Sequence, residues 1–260
     1  MKAGHSYQLP DKSIRHDYIQ RNFNEIAHKY DLFNDLITFG MHRLWKKRLV
    51  ALCRLEQFSE ARALDLCCGS GDISLYLARL PHKNLELHSL DFSSEMLRIL
   101  QARIAAWRQK HPGRSFHEPQ IRQGDASDLS AFPDNSLQAI TISFGLRNVQ
   151  RRAECLREAW RTLAPGGRFL ILDVGRVRPA LIAWFHAVFF KTIVPWIGYL
   201  VHGSRHEMYA YLPASAEEYP DQQTLARELG QAGFTSVHIE NRLFGSAAIH
   251  IATKTSPAHQ

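Results

Sequence analysis

Three aspartates in this sequence follow short apolar runs, and glycines separate the first of them from the segment that follows. Ala63-Leu64-Asp65-Leu66 leads into Cys67-Cys68-Gly69-Ser70-Gly71-Asp72. Asp91 follows the run 85–90, twenty residues after Gly71, and is succeeded by Phe92-Ser93-Ser94-Glu95-Met96-Leu97. Asp125 lies in Gly124-Asp125-Ala126, after 120–123. Gly69 and Gly71 let a ligand approach the backbone where a Cβ would collide. The turn lacks the third glycine of a dinucleotide fingerprint and the Lys-Ser/Thr of a phosphate loop, so pyrophosphate and triphosphate ligands fit it poorly. An acid at position 91 can accept both hydroxyls of a ribose, and one at 125 can accept from an adenine amino group. Asp65 and Asp72 put negative charge at both ends of the turn, which suits a ligand with cationic ends. S-adenosylmethionine, a nucleoside with an ammonium and a sulfonium, meets all of these conditions. Taken singly, each acid could be a turn or cap residue; three at successive strand ends carry the signal.

The elements that must hold these residues alternate in hydrophobic period. Strand-like runs stand at 63–66, 85–90, 120–123, 137–143 and 168–174, with helical segments at 73–80, 94–110 and 153–163 between them. Such alternation predicts a parallel sheet with helices on both faces and right-handed crossovers, its ligand beyond the carboxyl ends of the strands. After a helix opened by Asp221-Gln222-Gln223-Thr224-Leu225, two further strands at 236–241 and 247–253 meet through a short turn around Gly245. The first 45 residues carry helical aromatic spacing (Tyr18, Phe23, Ile26, Tyr30, Phe33) and are expected to pack over the cofactor side.

The bulk properties narrow the classes. The chain has 260 residues, 45% of them hydrophobic and 22% charged, with a formal net charge of +7. That suits one large α/β domain. The basic residues are scattered, the densest clusters being Lys46-Lys47-Arg48 and Arg151-Arg152, so a dedicated nucleic-acid arm is not expected. The four cysteines, at 53, 67, 68 and 155, form no disulfide or zinc pattern. They fit a reduced cytoplasmic compartment, with Cys67 and Cys68 packed beneath the glycine turn. The first residues carry no signal-peptide core. The stretch 181–201, LIAWFHAVFFKTIVPWIGYLV, is nearly long enough to span a bilayer, but Lys191 stands at its centre beside Pro195. A central lysine costs roughly 3 kcal/mol on insertion scales, and proline breaks the helix. Two short amphipathic helices over a sheet edge or an apolar ligand are expected instead, with a contact to a membrane surface open to them. No metal is implied, since no ligand cluster stands at metal spacing.

The spacing of Asp65 to Asp72, Asp91-Phe92-Ser93, Gly124-Asp125-Ala126, Pro133-Asp134-Asn135-Ser136-Leu137 and Leu163-Ala164-Pro165-Gly166-Gly167-Arg168 resembles that of the class I methyltransferases. Longer motifs resemble the UbiE/MenG quinone C-methyltransferases. They are Tyr30-Asp31-Leu32-Phe33-Asn34-Asp35, Thr38 to Lys46 (TFGMHRLWK), Ile142 to Val149 (ISFGLRNV), Tyr211-Leu212-Pro213-Ala214-Ser215 and Tyr219-Pro220-Asp221-Gln222. The resemblance runs from about residue 16 to 254. It implies a Rossmann-like α/β fold with a seven-stranded, mostly parallel sheet whose strand 7 is antiparallel. It also implies methyl transfer from S-adenosylmethionine to a ring carbon of a prenylated quinol, and cofactor contacts at Ser70, Asp91, Asp125, Ala126 and Ser143. Asp65, Gly69, Gly71 and Phe92 complete the expected cofactor set; Tyr30, Asn34, His42 and Tyr211 are the expected substrate contacts. There are two departures: Asp173-Val174-Gly175 stands where the family has Glu-Phe-Ser, and 202–208, which borders the expected substrate pocket, matches poorly.

The implied division is a helical cap at 1–45, a cofactor core at 46–178, an apolar helical substrate lid at 179–220, and a helix with the last two strands at 221–260. Carbon methylation needs an electron-rich ring, and a phenol has a pKa of about 10, so the site must stabilise a phenolate or supply a base. Arg147 is expected to do the former, because a guanidinium does not give up its proton, and Asn148 to orient the ring hydroxyl. The proton acceptor is left among water, His42, His202 and His206. The expected partners are a lipophilic quinol and no nucleic acid, with a peripheral contact at the inner face of the membrane and a homodimer both compatible with the sequence. Three rivals stand beside this reading. A nucleic-acid methyltransferase lacks its Asn/Asp-Pro-Pro-aromatic motif after strand four; the others are a methyltransferase for a terpenoid or polyketide and a non-catalytic cofactor-binding subunit of a quinone-biosynthesis complex.

Overall fold

Apolar runs flanked by glycine turns become the strands of one seven-stranded sheet in the computed structural model, which describes residue 25 and residues 32–202 and 208–255. The strands are β1 (Ala61–Leu66), β2 (Leu85–Asp91), β3 (Gln120–Gln123), β4 (Leu137–Ser143), β5 (Leu163–Val174), β6 (Ser236–Arg242) and β7 (Ala247–Thr253). Their order is β3-β2-β1-β4-β5-β7-β6. The first five are parallel; β7 runs antiparallel to both β5 and β6. The chain reverses its direction of strand addition between β1 and β4, and that switch point lies beside the glycine turn.

The central strands are buried on both sides, as parallel strands covered by helices must be. Leu64, Leu66, Ile140, Ile142, Phe169 and Ile171 face one layer, with Cys155, Leu156 and Ala159 of α5 (Arg152–Thr162) and Leu225 and Leu229 of α9 (Gln222–Gln231). Their neighbours Ala63, Ala139, Leu170 and Leu172 face the other, with Leu49 and Val50 of α2 (Met41–Leu52) and Ile73 and Leu77 of α3 (Asp72–Ala78). α4 (Ser94–Lys110) opens on Ser93, whose Oγ accepts from the Met96 amide at 3.2 Å. β5 starts at Leu163, five residues before the expected strand, and its pairing with β4 shifts register between Leu137 and Ala139. Gly166, at φ +80°, lets the chain take that irregular entry.

The apolar stretch departs from its expected form. α6 (Ala180–Val188) passes through a π-helical turn (Phe189–Ile193) into α7 (Val194–His202). Pro195 does not end the helix: the π-helical turn runs without a break into α7, where Pro195 holds the second position. Among the described residues no helix is long and apolar enough to cross a membrane. α8 (Met208–Glu218) follows. The helical residues 32–38, α1, pack on this layer: Phe33 and Val194 are both fully buried, with Ile37, Phe189, Phe190 and Ile197 around them. α1 thus lies on the apolar helices, and Asn34 is its one residue on the wall of the glycine-turn cavity. Tyr18, Phe23, Ile26 and Tyr30 lie outside the described residues.

Candidate active site

Two turns at the switch point build the polar half of the site. After β1, Cys67 takes a left-handed conformation at φ 50°, followed by Gly69 at 53° and Gly71 at 91°. After β4, Phe144 does the same at 56°. Left-handed backbone at Cys67 and Phe144 is strained, and strain of this kind concentrates at functional sites. The turns touch: a Cβ on Gly145 would lie 2.4 Å from that of Cys67. Gly71 is needed for packing, since a Cβ there would meet Leu100 Cδ1 at 2.1 Å. Gly69 has open space where its Cβ would stand and lines a cavity of about 60 Å³. Burial pushes the thiols of Cys67 and Cys68 well up, in keeping with packing beneath the turn.

The three strand-end acids are held in distinct ways. Asp65 is buried; its oxygens accept from Ser74 Oγ at 2.6 Å and Thr141 Oγ1 at 3.0 Å. Burial raises its pKa to about 7 against those bonds. Asp91 accepts from the Gly69 amide at 2.8 Å and the Ser93 amide at 2.9 Å, and burial raises it to about 6. Asp125 accepts from Ser127 and from Arg151 at 2.9 Å. It lines a second cavity of about 30 Å³ with Asp91, Phe92, Gly124, Ala126 and Asn148. Asp72 corrects the electrostatic argument from sequence: its charge is not offered to a cationic ligand. Lys46 Nζ lies 2.8 Å from one of its oxygens and an Arg103 guanidinium nitrogen 2.6 Å from the other. Burial opposes its ionisation, but the two cations outweigh it and hold the carboxyl well below the usual range. Arg103 also donates to the backbone and side-chain oxygens of Ser70.

These atoms fit a nucleoside with an amino-acid end. The Ser143 hydroxyl is buried on the wall of the first cavity without a hydrogen-bond partner among the described residues, and a side chain on Gly69 would fill the cradle beside it. Such an orphan is rare unless a ligand satisfies it.

The second half of the site is apolar. A cavity of about 360 Å³ lies between α1, α2, the helices α6 and α7 and the β6–β7 turn, walled by Ile37, Trp45, Phe185, Phe189, Phe190 and Phe244 among others. His42 and His186 also face it. His42 Nδ1 meets Thr38 Oγ1 at 2.8 Å and Nε2 stands 3.6 Å from Asp35. Burial, then Lys46, hold its pKa below the ordinary value; burial does the same to His186. Phe244 reaches the cavity through a hub that sequence reading quoted without explaining. The Gln222 amide takes the Arg176 amide and donates to Asn241 Oδ1 and the carbonyls of Gly245 and Arg176. It ties the β5–α6 loop to the β6–β7 turn. Gly175 belongs to the same junction, because a Cβ there would stand 2.4 Å from the Gly245 carbonyl.

Arg147 sits in a 3₁₀ turn (Leu146–Asn148) on the rim of the apolar cavity. It donates to Asp173 Oδ1 at 2.7 Å, with both side chains buried, at 6% and 2% exposure. Asn148 lies on the cofactor side instead, and its Oδ1 accepts from Tyr211 at 2.9 Å. Tyr211, expected as a substrate contact, stands behind Asn148 and lines neither the apolar cavity nor the glycine-turn cavity. Of the remaining expected contacts, Asn34 and His42 line the apolar cavity, and Tyr30 and His206 lie outside the described residues. Sequence reasoning missed Lys46, Arg103 and Gln222. Lys46 had a signal: it shares a helical face with His42 and Leu49 at four- and three-residue spacing.

The model of the ubiE/COQ5 methyltransferase family matches residues 11–254. A demethylmenaquinone methyltransferase from Leptospira interrogans is 41% identical over 252 residues, covering 96% of this chain and 98% of its own. A ubiquinone/menaquinone biosynthesis C-methyltransferase from Rubrivivax gelatinosus is 35% identical, covering 97% and 93%. Among solved structures, a SAM-dependent methyltransferase from Thermotoga maritima aligns with a TM-score of 0.58 at 15% identity, over 91% of this chain and 100% of that one. A putative S-adenosylmethionine-dependent methyltransferase from Methanococcus maripaludis aligns with a TM-score of 0.56 at 19% identity, over the whole of both. The fold is therefore the class I methyltransferase fold.

Proposed function

The chain belongs to the ubiE/COQ5 methyltransferase family, and from that premise we propose that it methylates a ring carbon of a prenylated quinol in quinone biosynthesis, using S-adenosylmethionine. The observation that carries this reading is the meeting of a polar set of contacts around the glycine turn with an apolar cavity at Asn34, Lys46 and Phe144, which line both. When bound, S-adenosylmethionine supplies a methyl group on a sulfonium: the ring carbon's electron pair makes the new bond, sulfur keeps the pair of the broken one, and the ring then loses a proton.

The residues divide the remaining work. Asp91 and Asp125, with Gly69, Ser70, Phe92, Ala126 and Ser143, hold the nucleoside end; Gly71 shapes the turn; and Asp65, whose oxygens are taken by Ser74 and Thr141, keeps β1 in register with it. Asn148, its carbonyl oxygen occupied by Tyr211, turns its amide N–H groups toward the cofactor side. Arg147, clamped by Asp173, gives the acceptor's rim a fixed positive edge. His42, held neutral by burial, can receive a ring proton. We read 1–45 as a cap, 46–178 as the cofactor core, 179–220 as the lid over the prenyl chain and 221–260 as the unit that closes the sheet.

The deciding experiment is methyl transfer from labelled cofactor to reduced demethylmenaquinone and to a demethylated benzoquinol, side by side. The naphthoquinol comes first because the Leptospira relative carries that name. Product from either establishes the reaction and selects the ring. Tight cofactor binding with no product from either would move the acceptor to another apolar metabolite such as a terpenoid.

A substrate of this kind resides in a bilayer, and the outer face of α6 and α7 suits one. Leu181, Trp184, Trp196 and Leu200 are 60–76% exposed, next to the cavity wall at Ile182, Phe185 and Phe189. Exposed tryptophans on an amphipathic face, in a chain of net charge +7, favour the surface of an anionic membrane on the cytoplasmic side. The double variant Trp184→Ala/Trp196→Ala should lose about tenfold in affinity for anionic vesicles. Unchanged vesicle binding accompanied by a dimer-to-monomer shift in sedimentation would assign the face to a second copy of the chain.

A further inference from the structure

Where α1 turns into α2, Phe39 and Gly40 stand in the left-handed region, at φ 50° and 70°, and the Gly40 amide donates to the Asp35 carbonyl at 2.8 Å. That turn folds the start of α2 back onto the end of α1. It brings Asp35, Thr38 and the buried His42 together, and Thr38 and His42 both line the apolar cavity.

The distances at this corner fix where its protons lie. Thr38 Oγ1 stands 2.6 Å from the Asn34 carbonyl oxygen, the length of an O–H···O bond. A carbonyl has no hydrogen to give, so the hydroxyl proton is spent there. Oγ1 also lies 2.8 Å from His42 Nδ1. With its one hydrogen used, the hydroxyl meets that nitrogen as an acceptor, and Nδ1 carries the imidazole N–H. Neutral imidazole has a single such hydrogen, which leaves Nε2 with its lone pair. The opposite tautomer would turn the hydroxyl round and set two oxygen lone pairs against each other at the Asn34 carbonyl. Burial first, then Lys46 and Arg43, favour the neutral ring, while Asp35 and Asp72 act the other way. Asp35 Oδ1 lies 3.6 Å from Nε2, and Arg43 holds that carboxylate still with bonds of 2.6 Å to each oxygen. An anion fixed beside a lone pair favours the arrival of a proton on it.

We propose that Thr38 is a positioning residue for methyl transfer: it locks His42 as the Nδ1–H tautomer and so presents Nε2 as the acceptor of the ring proton, a role that rests on the quinol reading above. Once the methyl group is on the ring, the C–H bond at the alkylated carbon breaks, its electron pair returns to the ring, and the proton goes to Nε2. The imidazolium then releases that proton to water. His42 returns to the same tautomer because the Thr38 hydrogen stays on the Asn34 carbonyl.

The tautomer can be read without any quinol. Nitrogen–proton correlation spectra of the full chain carrying isotope-labelled histidine distinguish N–H from bare ring nitrogens, and the signals lost in His42→Gln identify His42. The unaltered protein should carry its proton on Nδ1. Thr38→Val keeps the shape and removes the acceptor, so the proton should move to Nε2, on the side of Asp35. Its kcat for quinol methylation should fall about 10–100-fold, with KM for the quinol and cofactor Kd within about threefold of the original. Thr38→Ser should restore the Nδ1–H signal and most of kcat. An Nε2–H signal in the unaltered protein overturns the assignment, whether or not Thr38→Val folds. So does Nδ1–H retained in Thr38→Val, a changed tautomer with kcat intact, or full turnover in His42→Gln. If the unaltered protein methylates neither quinol, the quinol reading falls and the proton-transfer role with it; if it methylates one and any of the other contrary results appears, only the role of Thr38 falls.

Discussion

The two halves of the site are built on opposite plans. On the cofactor side the chain holds its own acids: Asp65, Asp91 and Asp125 are each tied to neighbouring amides or hydroxyls, and the cavities among them measure about 60 and 30 Å³. On the acceptor side about 360 Å³ stands open between helices, with aromatic rings as its main wall. The first half is set by strand ends and short turns, so its geometry is local and rigid. The second is set by how α1, α2, α6 and the β6–β7 turn come together, so its shape depends on packing between distant segments. Precision belongs to the half that must place a nucleoside, and room belongs to the half that must admit a long apolar chain.

The largest effect should come where the halves join. Removing Asp173 leaves Arg147 charged and buried, a loss of about 3–5 kcal/mol for such a pair. Asp173→Ala should therefore lower Tm by about 10 °C or more. The double change Arg147→Met/Asp173→Val should recover most of that stability while turnover stays lost and cofactor Kd is little changed. Calorimetric melting combined with single-turnover kinetics checks both. If the double variant turns over normally, Arg147 is scaffold and the junction is carried elsewhere. On the cofactor side, Asp91→Ala should weaken S-adenosylmethionine by about 30–100-fold, the loss of roughly 2–3 kcal/mol of hydrogen bonding to a charged group. The KM for quinol should be unmoved; a matched rise in both would show that the halves are one coupled unit. On the acceptor side, Phe189→Ala should raise KM for a long-chain quinol about 3–10-fold and leave a short-chain analogue unaffected. Equal efficiency for long and short chains in the unaltered protein would reduce that wall to core packing.

The same contrast governs how much could be read from the sequence. β3, β4, β7 and α4 fall at their expected bounds, and the glycine turn is where the spacing of Gly69, Gly71 and Asp91 puts it, because left-handed backbone and strand-end acids are local properties. Asp72 misled, since its type gives no hint that residues 26 and 31 positions away neutralise it. Lys46 was hidden in a basic triplet that looks like a solvated surface until helical phase separates it from Lys47 and Arg48. Pro195 read as a breaker because the π-turn that precedes it in an unbroken helix leaves no mark in the sequence. Gln222 is the deepest case: its four partners come from residues 176, 241 and 245, and no periodicity in the chain brings those together.

The smallest expected effect tests whether the polar half keeps a strained proton. Burial lifts Asp65 to about 7, above the ordinary carboxylate value, so the folded chain holds a proton there that the unfolded chain releases. With more protons bound in the folded state, stability must fall as pH rises from the unfolded pKa, about 4, through the folded one. Tm of the cofactor-free protein should therefore drop between pH 5 and pH 8 through this group, and Asp65→Asn, which keeps the size and cannot ionise, should flatten that part of the slope. A difference of about 2–4 °C across the range corresponds to roughly 1 kcal/mol in a chain of this size. Ser74 and Thr141 still bond the amide in the variant, so its Tm at pH 5 should match the original. A slope that is identical in both proteins would mean that Asp65 is ionised throughout, with its two hydroxyl donors outweighing its burial.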